Sequence, residues 1–218
     1  MMGSEKGMRN MKRDAASGAL LIAGPAAGVV VMLLHPTAHG LMDKAAGPHL
    51  ARINTFVHGL ALVAVPMSFL GLLGLWRRLQ PSNLATAAYV AYGWGCVAVM
   101  SAAVASGFVA PGVISHLVAE DGSTVPDALL MYTGLWNQGF AKVNVVATSI
   151  GILLFSVAIL RGGRASRLAG GFGAIVGVAI LLFFFAGHLR LDIHGFGAVT
   201  FAQSAWLIWI GALLCGEE

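Results

Sequence analysis

Charge is what this sequence has least of. Only 10% of its 218 residues are Asp, Glu, Lys or Arg, against about 25% in an ordinary soluble domain. The place of the missing charge is taken by apolar residues, which make up 58% of the chain and raise its mean hydropathy to +0.83. That balance excludes a soluble enzyme, a nucleic-acid-binding module and a disordered regulator. Cysteine is nearly absent as well: Cys96 and Cys215 are the two, too few for a disulfide framework. No C-x-x-C-H motif offers covalent haem attachment, and no Gly-x-x-x-x-Gly-Lys-Ser/Thr loop offers a nucleotide cradle. No segment alternates with the period of two that a membrane β-barrel needs.

What remains is a series of long apolar runs. About 20 helical residues, at 1.5 Å each, cross the roughly 30 Å of a bilayer's hydrocarbon. Six runs reach that length: Ala16–His35, Ile53–Trp76, Leu84–Ala110, one within Ala128–Leu160, Leu168–His188 and Gly195–Cys215. Turn residues separate them at His35-Pro36, at Gln80 to Asn83, at Pro111-Gly112 and at Arg161 to Arg164. The fold class expected is therefore all-α: a polytopic bundle of six transmembrane helices forming a single domain over residues 16–216, behind a basic tail at 1–15. Lys6, Arg9, Lys12 and Arg13 precede the first run as they would in a signal peptide. That run is too long for a signal core, and no A-x-A site follows it, so a retained first helix is expected.

The 13 basic residues orient this bundle. With the N-terminus inside, Lys6, Arg9, Lys12, Arg13, Arg77, Arg78, Arg161, Arg164 and Arg167 all fall on the cytoplasmic side. Lys44, Arg52, Lys142 and Arg190 fall on the other. The positive-inside rule then places both termini in the cytoplasm of a bacterial-type inner membrane. The net charge of +4 records topology and calls for no nucleic-acid partner.

All seven histidines fall on the outer side of that topology. Counting about 20 residues along the helices from their inner basic ends puts His35, His58 and His188 at one depth, the outer hydrocarbon edge, and His194 follows His188 too closely to lie at another. The pairs His35 with His58-Gly59, and His188 with His194-Gly195, echo each other across two hairpins. Two such hairpins face to face ring four imidazoles about a bundle axis, where helical bundles build metal and cofactor sites. Histidine ligates zinc, copper and iron, and haem b as well. Asp192 is positioned to orient His194 as an outer carboxylate. The pair His35 and His39 has the i, i+4 spacing of many zinc sites, but Pro36 interrupts it and no glutamate accompanies it. His49 and His116 read as solvated loop residues.

The fourth run carries a polar stripe. Asn137, Asn144 and Thr148 share one helical face, with Gln138, Lys142 and Ser149 on the adjoining strip. Asn137, Gln138, Lys142 and Asn144 are the substrate-binding candidates, and Thr200, Gln203 and Ser204 descend to similar depth on the sixth run. The expected function is a metal- or haem-dependent protein acting, by redox or hydrolytic chemistry, on a lipid-like or quinone-like ligand from the bilayer. The alternatives are a small transporter or binding protein with a polar outward vestibule, and a scaffolding subunit of a membrane complex. A homo-oligomer is compatible with each.

Overall fold

The computed structural model describes residues 2–36, 47–113, 127–162 and 167–216. They form helices α1 (Met2–Leu34), α2 (Gly47–Arg78), α3 (Asn83–Val104), α4 (Asp127–Gly162), α5 (Arg167–Phe185) and α6 (Ile193–Gly216). All six contain stretches long and apolar enough to cross a membrane. Successive helices pack side by side and α6 returns to α1, so the bundle closes into a ring in chain order. Helix α5 stands mainly against α4, with less contact to α6.

The segment expected as a tail is helical from Met2, so α1 extends well beyond its apolar span of Asp14–Leu34. Helix α1 stops at Leu34, before His35-Pro36, because a residue preceding proline is pushed out of the helical region. Helix α3 starts at Ser82, whose hydroxyl accepts from the Ala85 N–H at 3.2 Å. The break expected at Pro111-Gly112 is absent, since residues 110–113 remain helical. The irregularity instead precedes the proline, as one π-helical turn at Ala105–Val109.

The two ends of the ring differ. One end, here the basic end, carries Arg77, Arg78, Arg161 and Arg167. There the Arg78 guanidinium meets the Asp14 carboxylate at 3.0 Å, tying α2 to α1. This half is filled by Leu21, Leu72, Leu75, Phe155, Ile152, Ile159, Trp206 and Ile210, all fully or almost fully buried. The Trp206 indole N–H donates to the Ala169 carbonyl at 3.0 Å. The opposite end carries His35 and His58, and beneath it the helices part.

Candidate functional site at the histidine end

A cavity of about 480 Å³ opens between the ends of α1, α2, α3, α4 and α6. That is the size of a small-molecule site. Its apolar wall includes Val31, Met32, Ala61, Val99, Ala102 and Phe196, and its polar groups are His35, His58, Asn137, Gln138 and Asp192.

His35 and His58 are brought together, with ring centroids 4.9 Å apart and planes inclined at 68°. The His58 Nδ1 lies 2.7 Å from the Asn54 carbonyl, one turn back on α2. The His35 Nδ1 lies 2.9 Å from the Pro36 carbonyl. A carbonyl only accepts, so in each ring Nδ1 is the donor and, in the neutral imidazole, Nε2 keeps its lone pair. Tying Nδ1–H to a backbone carbonyl is the arrangement that prepares Nε2 as a ligand.

The buried position of His58 is prepared by α3. In the π turn, the Ala110 N–H bonds to the Ala105 carbonyl. The same register would assign the Ser106 carbonyl to the nitrogen of Pro111, which has no hydrogen to give. Asn54 supplies the donor instead, Nδ2 to Ser106 O at 2.9 Å, and the Thr55 hydroxyl donates to Gly107 O at 3.0 Å. These bonds hold the turn of α2 just before His58 against α3. The imidazole then lies where a side chain at Gly107 would stand: a Cβ there would overlap Cβ and Cγ of His58. Asn54, Thr55 and Gly107 were not among the expected site residues. A Cβ at Gly59, beside His58 in the chain, would have only the Phe108 ring within 4 Å, at 3.9 Å, whereas one at Gly195, beside His194, would overlap the Arg190 carbonyl.

His188 and His194 are exposed and do not line the cavity. Helix α5 stands against α4 and α6, and contributes no residue to the cavity lining. His49 is exposed at the start of α2, and His39 and His116 lie outside the described residues. Among the described residues no third His, Cys, Asp or Glu groups with His35 and His58 as a ligand set.

Asp192 lines the cavity but does not hold the His194 ring. Its Oδ1 accepts from the backbone N–H groups of Gly195 at 2.9 Å and His194 at 3.1 Å, the N-cap of α6. These bonds, with Gly195 the stronger influence, hold its carboxyl below the usual carboxylate range. A depressed acid contributes stability above its unfolded-state value of about 3.9, and that contribution is lost as the pH falls through the lower folded-state value. Thermal melts of Asp192→Asn, a residue that caps without titrating, are expected to show a weaker loss of stability below about pH 4 than the unaltered protein.

Of the four substrate-binding candidates, Asn137 and Gln138 line this cavity. The Gln138 Nε2 donates to the Leu191 carbonyl at 3.0 Å. Lys142 is exposed and stands apart from it. Asn144 lies deeper, in a second chamber of about 120 Å³ that shares Val31, Met32, Ala61, Val99 and Phe196 with the first. There the Gln203 Nε2 donates to the hydroxyls of Thr148 at 3.0 Å and Ser149 at 3.1 Å. Below this chamber the packed side chains of the basic half close the bundle.

The chain matches no protein family, no curated protein and no solved structure with which it has been compared.

Proposed function

We propose that this chain is an integral membrane protein that binds a transition-metal ion in its histidine-end cavity and presents it to an amphipathic ligand. The observation that carries the reading is the imidazole pair, each ring anchored at Nδ1 and both lining one cavity. Two imidazoles bound cis to one ion, at metal–nitrogen distances of about 2.0–2.1 Å, have ring centroids about 4.5–5.2 Å apart. The 4.9 Å separation fits that range. A haem between two axial histidines would need about 6.5 Å, so the spacing favours a non-haem ion such as zinc, copper or iron. With two protein nitrogens, such an ion keeps positions for a substrate, as catalytic sites require.

The large exposed side chains support a lipid surrounding. Leu33, Ile175 and Phe185 are 69%, 69% and 73% exposed on the outer surface of the ring, an arrangement that water penalises and lipid does not. The distribution of arginine supports cytoplasmic termini and a site facing the periplasm or exterior. A transport path is less well supported, since the polar chamber ends against the apolar packing of the basic half.

Metal titration of the purified protein, with cobalt as the spectroscopic probe, tests the reading. His35→Ala and His58→Ala are each expected to weaken binding by more than the roughly 10–100-fold that losing an outer partner costs. His188→Ala and His194→Ala should leave it unchanged. Absence of saturable binding, or equal loss in all four variants, overturns the proposal.

A further inference from the structure

Most polar side chains of the deep chamber give a hydrogen to a protein oxygen and leave an acceptor unmatched. The Asn144 Nδ2 donates to the Gly95 carbonyl at 2.9 Å, which leaves its Oδ1 as the free end of the amide. Thr148 gives its hydrogen to the Asn144 carbonyl at 2.7 Å. Its oxygen therefore accepts from Gln203, which fixes the Gln203 amide nitrogen on that side and leaves Oε1 free. Ser68 donates to Ala64 O and Thr200 to Phe196 O, each along its own helix. Among the described residues, no protein donor reaches the Asn144 or Gln203 amide oxygen. Higher in the cavity, His35, His58 and Gln138 likewise present acceptors, beside the Asn137 amide, which offers both a donor and an acceptor.

A buried surface of unfilled acceptors selects for a donor, because an acceptor facing another acceptor leaves both unpaired at a cost. The deep chamber has no Asp, Glu, Lys or Arg in its lining, so nothing there compensates an ionic partner. Tyr92, whose phenol both donates and accepts, and Ser204, whose hydroxyl donates to the Pro25 carbonyl at 3.5 Å, also line it. A group that donates one hydrogen and accepts another, without charge, is a hydroxyl. Above it, Val31, Met32, Ala61, Val99 and Phe196 form an apolar waist common to both chambers.

We propose that the deep chamber is the hydroxyl-binding end of the site, and that the ligand is an uncharged amphipathic alcohol entering hydroxyl first. Asn144 and Gln203 accept from the hydroxyl, the waist holds the apolar body, and the far portion lies beside His35 and His58. The ten residues from His58 to Ser68 along α2 correspond to about 15 Å, the length over which such a ligand spans the site. A carbonyl compound or an ether of the same shape meets the acceptors without a hydrogen to offer. This inference rests on the cavity being the working site, and not on the metal.

The test is photocrosslinking of metal-free protein with two probes, a diazirine-bearing long-chain primary alcohol and its methyl ether. Labelled residues are mapped by mass spectrometry. The alcohol is expected to label the walls of the chambers about tenfold more than the ether, the discrimination that one unmade buried hydrogen bond gives. Gln203→Leu and Asn144→Leu are expected to bring alcohol labelling down to the ether's. The alcohol-to-ether ratio in the unaltered protein decides the matter even if those variants fail to fold. Equal labelling by the two probes, or labelling confined to the outer surface, overturns the proposal. Cobalt binding is measured on the same preparation, so a failed alcohol preference with intact metal binding refutes this inference alone. Retained preference without metal binding refutes the metal alone.

Discussion

Gly71→Leu is expected to prevent α1 from seating against α2 and to abolish cooperative assembly of the bundle. A Cβ at Gly71 would lie 2.8 Å from the Leu21 backbone nitrogen and 2.9 Å from the Ser17 carbonyl. Both are main-chain atoms of α1 that no rotamer change can move. The same close approach recurs along the seam. A Cβ at Gly24 would lie 2.8 Å from the Ala64 carbonyl, and one at Gly18 would lie 2.6 Å from the Gly211 carbonyl on α6. Helices that share an apolar solvent gain little from burying apolar surface against one another, and associate through close van der Waals packing at small residues. Gly71→Ala should cost about 1–3 kcal/mol by overpacking, and Gly71→Leu far more. Gly28→Ala is the control: nothing lies within 4 Å of a Cβ there, and removing a helix-interior glycine should stabilise by about 0.5–1 kcal/mol. Denaturant unfolding in detergent measures all three. A cooperative transition in Gly71→Leu with the parent midpoint would contradict the close packing of α1 on α2.

The six helices were legible because length and apolarity along a chain are one-dimensional properties, and a bilayer-spanning helix needs little else. The polar face of α4 was legible for a similar reason: spacings of 7 and 4 place Asn137, Asn144 and Thr148 on one side of any helix. Counting residues from the arginines gave the level of His35 and His58 along the axis, and the two meet in the structure. The same count gave a level for His188 and His194 but no direction around the axis. That direction is set by how α5 packs against α4 and α6, a relation between helices that depth does not contain. Lys142 and Asn144 are two residues apart, and a helix turns about 200° over that interval. One faces the chamber and the other is exposed. At His58 the close approach is made not by Gly59 beside it in sequence but by Gly107 across from it in space. Gly107 belongs to another helix, and its only sequence mark is Pro111, four residues on, which deprives a preceding carbonyl of its donor.

That glycine gives the sharpest test of how the site is built. Gly107→Ala introduces one methyl group where Cβ and Cγ of His58 stand, and because Cβ is fixed to the backbone no rotamer of the ring clears it, so α2 must move from α3. That shift strains the bonds from Asn54 to Ser106 O and from Thr55 to Gly107 O, which hold the two segments together. Moving α2 carries the His58 ring away from His35 on α1 and loosens the imidazole pair. Cobalt affinity should therefore fall as far as in His58→Ala, although both imidazoles remain in the chain. Stability should fall by about 1–3 kcal/mol, as overpacking typically costs. Adding His58→Gly to Gly107→Ala removes both the Cβ and the ring that the new methyl meets and should recover part of that stability, without recovering metal binding. Residues in contact couple in this non-additive way, whereas independent losses would sum. If Gly107→Ala binds cobalt like the parent, or if the two losses of stability simply add, Gly107 does not make the space that holds the His58 imidazole. The π turn would then be a local adjustment to Pro111 with no part in positioning the pair.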